Sequence, residues 1–166
     1  MPLQLYKIAS VEVGSAGASS IDFTSIPQGY TDLKIVATIR TNVSGLADDV
    51  FLAFNGSTST FSGKYLQGTG SSTLSGSYAR FAGFGTGNTA TTNTFSNQEI
   101  YIPNYTSANN KSYSVDSVSE NNGTTGQIAL VAGLWSTGTA VSSIALTPVS
   151  GTAFLANSTA TLYGIL

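Results

Sequence analysis

Tyr30-Thr31-Asp32-Leu33-Lys34-Ile35-Val36-Ala37-Thr38-Ile39-Arg40-Thr41 alternates apolar and polar side chains with a period of two. Leu33, Ile35, Ala37 and Ile39 point one way; Lys34, Thr38 and Arg40 point the other. Alternation of this kind marks a strand with one dry face and one wet face. Similar short runs recur on both sides of it, each bounded by turn residues. Upstream lie Leu3 to Val13 and Ser20 to Phe23, the latter turning at Ile26-Pro27-Gln28-Gly29. Downstream lie Asp49 to Phe54, closed by the hairpin dipeptide Asn55-Gly56, then Lys64 to Gln67 and Tyr78 to Phe84. After a stretch read as a flexible loop, Gly85 to Asn97, strands resume at Gln98–Ile102, Ser112–Glu120, Gly126–Trp135, Val141–Thr147 and Ala153–Ile165.

No window carries a sustained helical stripe, because Gly, Ser, Thr and Asn interrupt every long stretch. Without intervening helices, parallel β-α-β units are excluded. The expectation is an all-β fold: an antiparallel two-sheet β-sandwich, jelly-roll-like, forming one domain over residues 1–166. Its core is expected to hold Leu33, Ile35, Ile39, Phe51, Ile128, Leu130 and Leu134.

Composition narrows function by elimination. The 166 residues include 24 Ser, 22 Thr, 11 Asn and 18 Gly, but only 8% charged residues. Cys and His are both missing from the sequence. Thiol nucleophiles, disulfides, zinc fingers and Ser-His-Asp triads go with them, and the expectation is a non-enzyme. Six dispersed cations and a net charge of −2 supply no basic patch for nucleic acid and no polybasic membrane anchor. The longest apolar run, Ile128 to Trp135, is far short of a bilayer span. Met1 to Lys7 lacks the basic and apolar regions of a signal peptide, so synthesis in a cytosol is expected.

Few residues invite a chemical reading. Asp48-Asp49, with Asn42 nearby, offers oxygens to a hard cation such as calcium. The spacing of an EF-hand is missing, and a solvated loop opening the next strand is the expectation; no cofactor or metal is required. The other acids are scattered singly and give no glycosidase pair. Gly83-Phe84-Gly85-Thr86-Gly87 is not followed by the helix that a phosphate loop needs. Tyr65, Tyr78, Phe81, Phe84, Tyr101, Tyr105, Tyr113 and Trp135 either stack on a glycan or fill the core, and the core reading has the greater weight.

Leu5-Tyr6-Lys7-Ile8-Ala9-Ser10-Val11, Ser20 to Pro27 and Tyr30 to Ile35 together resemble small structural proteins of tailed bacteriophages. So do Phe54-Asn55-Gly56-Ser57 with Tyr65-Leu66-Gln67-Gly68, Ile100 to Tyr105, and Ala160 to Ile165. The resemblance covers nearly the whole chain and brings no catalytic motif. It implies a capsid decoration, or cement, protein: a jelly-roll homotrimer that binds the phage major capsid protein on the outside of the head. The virion would then be its location, after synthesis in the host bacterial cytoplasm. The alternative is a tail-fibre module that binds a host surface glycan. Strands running from residue 3 to residue 165 leave no stalk, which favours decoration. Tyr101, Tyr105 and Tyr113 are the candidate interface residues, since interfaces enrich in Tyr and shed charge.

Overall fold

A computed structural model describes residues 4–122 and 126–166. The expected start of the first strand, Leu3, lies outside these. Twelve strands are present among the described residues, and no helix. They are β1 (Leu5–Glu12), β2 (Ile21–Phe23), β3 (Asp32–Ile39), β4 (Ala47–Phe54), β5 (Phe61–Gly68), β6 (Thr73–Ser77), β7 (Phe81–Thr86), β8 (Ser96–Ile102), β9 (Lys111–Ser119), β10 (Gln127–Trp135), β11 (Ile144–Pro148) and β12 (Thr159–Ile165). They form two antiparallel sheets, ordered β1-β12-β3-β8-β9-β10-β5-β6 and β2-β11-β4-β7. The all-β sandwich expected from the alternation is therefore present.

The pairings nest. β1 pairs with β12, β2 with β11, β3 with β8 and β4 with β7, so the chain doubles back on itself while passing between the sheets. The remaining strands, β9-β10-β5-β6, widen the larger sheet beyond that nest.

Between the sheets lies one apolar cluster. Leu33, Ile35 and Ile39 of β3 are fully buried there, as the period-two reading requires, with Ile100 and Ile102 of β8 and Leu162 of β12 beside them. Each such side chain contributes about 1.5–3 kcal/mol through burial. Phe54, Phe61, Tyr113 and Trp135 form an aromatic group with edge-to-face and stacked contacts at 5.6–6.5 Å. Tyr113 lies opposite Gly133 in the β9–β10 register, with its ring flat over the glycine; a Cβ there would overlap the ring.

Part of the interior is polar. The Phe84 amide donates to Ser117 Oγ at 2.9 Å, Gln98 Nε2 donates to the Phe84 carbonyl at 2.7 Å, and the Thr86 and Ser119 hydroxyls pair at 3.2 Å. These bonds stitch β7 of one sheet to β8 and β9 of the other. Gly83 has a φ of 100°, and a Cβ on it would strike Ser117. The sheets can close to hydrogen-bonding distance here because the side chains between them are small.

Several expectations are corrected. Ile128 and Leu130 are not core residues: both are 58% exposed, while Ala129, Val131 and Trp135 on the opposite face of β10 are buried. Leu134 and Phe51 are only half-buried. Both rows of β10 are apolar, so hydrophobicity alone does not tell which row faces inward. Asn55-Gly56 does form a tight turn, with φ of 52° and 71° and the Ser57 amide bonded to the Phe54 carbonyl. It does not join paired neighbours, because β5 goes to the other sheet. Gly85 and Thr86 belong to β7, and Ser96 and Asn97 to β8, so only residues 87–95 form the connection.

That connection is held by Arg40, which was expected on the wet face and is buried instead. Its Nη1 donates to the carbonyls of Thr91 (2.8 Å) and Thr94 (2.9 Å), and its Nη2 to those of Asn88 (3.2 Å) and Ala90 (3.0 Å). A guanidinium is suited to this work because its planar fork presents several donors at once.

Candidate interaction surface

Most of the groups that invite chemistry are engaged in structure. Asp48 and Asp49 both lie within β4, not in a solvated loop, and as consecutive strand residues they face opposite sides. Asp48 is buried, and its two carboxylate oxygens accept the Ser150 and Gly151 amides, each at 2.9 Å. Asn42 Oδ1 accepts the Thr152 and Ala153 amides at 2.8 and 3.1 Å. The two side chains thus anchor the stretch 150–153, their oxygens engaged with its backbone amides. No group of three or more acidic side chains that could hold a metal ion occurs among the described residues. Asp49 points the other way, toward Tyr78; burial raises its pKa, against the lowering effect of the Tyr78 hydrogen bond.

Cations are similarly occupied. Lys111 is buried and donates to the carbonyls of Ser107 (2.6 Å) and Asn109, and burial lowers its pKa. Arg80 has a φ of 65°, donates from Nε to the Leu52 carbonyl at 2.9 Å and lies 4.8 Å over the Phe51 ring. Lys34 pairs with Glu99 at 2.7 Å.

The tyrosines expected at an interface divide. Tyr105 is fully buried, its hydroxyl donating to the Pro27 carbonyl, and Tyr113 is buried in the aromatic group, where burial pushes its pKa up to about 12. Neither is a surface residue. Both carry an apolar ring that a sandwich core absorbs, and residue type alone gives no sign of that. Tyr101 is exposed, and its hydroxyl donates to Asp32 at 2.6 Å. Among the aromatics weighed for glycan stacking, Phe81, Phe84 and Trp135 are also buried.

What remains is a surface that sequence reasoning missed, on the outward face of β5-β10-β9. Its centre is the outward row of β10: Ile128, Leu130, Ala132 and Leu134. On one side the register sets Gly68, Leu66, Lys64 and Ser62 of β5 against that row. On the other it sets Val118, Asp116, Ser114 and Ser112 of β9. Leu66 (54%), Val118 (40%), Ile128 and Leu130 are all substantially exposed. Thr73, Val118, Ile128 and Leu130 border an open groove of about 360 Å³. The signal in the sequence was the unbroken apolar run itself: a strand apolar on both faces is a strand covered on both faces.

No known protein family, characterised protein or solved structure matches the chain.

Proposed function

We propose that this chain is a structural protein of a tailed-phage virion, attached to the outside of the capsid as a decoration protein that stabilises the head. We read the nested strand pairing as a jelly roll whose larger sheet is widened by four strands. The observation that carries the proposal is the apolar face on β5-β10-β9. An exposed cluster of four large aliphatic side chains on a chain with so few charges is a surface for a protein partner. The resemblance of its strand segments to phage structural proteins supplies the kind of partner: a major capsid protein and further copies of this chain.

The engaged state of Arg40, Asp48 and Lys111 supports a structural role, because these charges serve to fix loops. The tail-fibre alternative needs exposed aromatics for sugar stacking, and most of the aromatics lie in the core. Quantitative mass spectrometry of purified virions tests the proposal. Hundreds of copies per particle are expected, whereas a few to tens would place the chain in a tail.

A further inference from the structure

We infer that β6 is a self-association edge: two copies of this chain pair their β6 strands antiparallel across a two-fold axis at Ser75, joining the two larger sheets into one. The inference goes beyond the decoration reading and does not depend on it. It starts from the sheet edges, since an unpaired edge strand is a template for another strand unless something blunts it. β1 carries Lys7 and Glu12 and breaks register within its pairing. β2 is three residues long, with Asp22 at its centre. β7 is buried along its whole length, and its Phe84 amide and carbonyl are taken by Ser117 and Gln98. β6 ends the larger sheet with Thr73-Leu74-Ser75-Gly76-Ser77, which holds no charge and no proline and pairs with β5 in unbroken register. Among the described residues it is the one unguarded edge.

The hydrogen bonds at the two ends of β6 fix which backbone groups are open. The Thr69 amide donates to the Ser72 carbonyl at 3.0 Å, and the Tyr78 amide donates to the Gly63 carbonyl at 3.1 Å. Bonded and non-bonded residue pairs alternate along an antiparallel ladder. Between those ends, Leu74 and Gly76 therefore turn their backbone groups to β5, and Thr73, Ser75 and Ser77 turn theirs outward. A two-fold axis at Ser75 sets Ser75 against its own copy and Thr73 against Ser77. Each of these residues then both donates and accepts, and every outward group of the edge is paired.

The side chains agree with that register. It places Leu74 of one copy opposite Gly76 of the other, in the non-bonded position where side chains lie closest. Leu74 is 49% exposed in the protomer, and the Tyr65 ring lies over Gly76, 3.0 Å from where a Cβ would sit. Without a side chain on Gly76, Leu74 has room to reach that ring, so the pairing buries the exposed leucine of each copy against an aromatic. An axis moved to Leu74 would set that leucine against itself and leave Ser77 beyond the partner strand. Pairing uses up the unguarded edge of both copies, so assembly stops at two. The strand is short, which puts the contact at the small end of specific interfaces and makes it reversible.

Sedimentation equilibrium over a concentration series should rise from the 17.0 kDa protomer mass to twice that value. Ser75→Pro removes an outward donor without touching the bonds to β5, so it should abolish the rise and leave the far-UV circular dichroism spectrum unchanged. Ser75→Lys and Ser75→Glu each set like charges across the axis and should each weaken association about ten-fold or more, whereas an equimolar mixture of the two should recover it. Amide exchange should slow at Thr73, Ser75 and Ser77 as concentration rises. A wild-type chain that keeps the protomer mass at every concentration, one that assembles to any mass other than two protomers, or a Ser75→Pro variant that still pairs overturns the inference. So does a monomer whose binding to purified heads is lost in Ser75→Pro; that result would give the edge to a strand of the capsid protein.

Discussion

Replacing Arg40 by methionine keeps most of the stem volume and removes the four donated bonds to the carbonyls of Asn88, Ala90, Thr91 and Thr94. A hydrogen bond to a charged group contributes about 1.5–3 kcal/mol. The four do not add, because residues 87–95, once released, would hydrate their carbonyls together. The cost is therefore limited to that of freeing the connection and of leaving a cavity beside β3, about 3 kcal/mol. In a chain of this size each kcal/mol lowers the melting temperature by roughly 2–4 °C, so Arg40→Met should melt about 6–12 °C lower. Arg40→Lys should recover less than half of this, because an ammonium lacks the planar fork that reaches four carbonyls. Differential scanning calorimetry gives the shift, and amide exchange should show protection lost in residues 87–95 before anywhere else. The partners are carbonyls, not carboxylates, and the group is buried, so added salt should change the deficit little. An Arg40→Met protein that melts within 1 °C of wild type would refute the argument that this side chain holds the connection.

Gly133→Ala should destabilise by about 1–3 kcal/mol in chemical unfolding, because the new Cβ overlaps the buried Tyr113 ring and displaces it from its place in the aromatic group. Asp48→Asn halves the acceptors available to the Ser150 and Gly151 amides; a loss of about 1–2 kcal/mol is expected, with no dependence on added calcium or chelator. Asp49 has a pKa raised by burial, so folding favours its protonated form: its stabilising contribution is complete below the ordinary carboxylate pKa and is lost as pH rises through the elevated folded value. Asp49→Asn should accordingly raise the melting temperature at pH 7 and leave it nearly unchanged at pH 3. Val131→Ala, on the buried row of β10, should cost about 2 kcal/mol in protomer stability, whereas Leu130→Ala should leave the protomer within about 0.5 kcal/mol of wild type.

The sandwich was legible where one face of a strand is wet. In β3 and β8 the buried rows Leu33, Ile35, Ile39 and Ile100, Ile102 stand out against polar neighbours. β10 offered no such contrast, and its inward row was misassigned because the small residues Ala129 and Gly133 face the core while Ile128 and Leu130 face outward. β6, Thr73-Leu74-Ser75-Gly76-Ser77, gave no strand signal at all. It exists because β5 presents an open edge, and the Tyr65 ring covers Gly76 across the pair. The polar interior was equally hidden. Gln98, Ser117 and Ser119 look like surface residues until the partners that satisfy them are known. Arg40 follows the period of β3 to the outward face, and only the fold of residues 87–95 over it turns that face into an interior.

The nesting of the strand pairs orders the assembly of the protomer. β4 and β7 are separated by the shortest stretch of chain among the nested pairs, and β1 and β12 by nearly all of it. Loop-closure entropy grows with the length enclosed, so the fold closes most readily from the inside out. On the ribosome, β1 emerges first and must wait for β12, which is made last, before its backbone is paired. During that wait it is an open edge among identical nascent chains. Its defences are visible in the finished protein: Lys7 and Glu12 on the strand, and a break in register between Lys7 and Ala9 that spoils a regular ladder for any wrong partner.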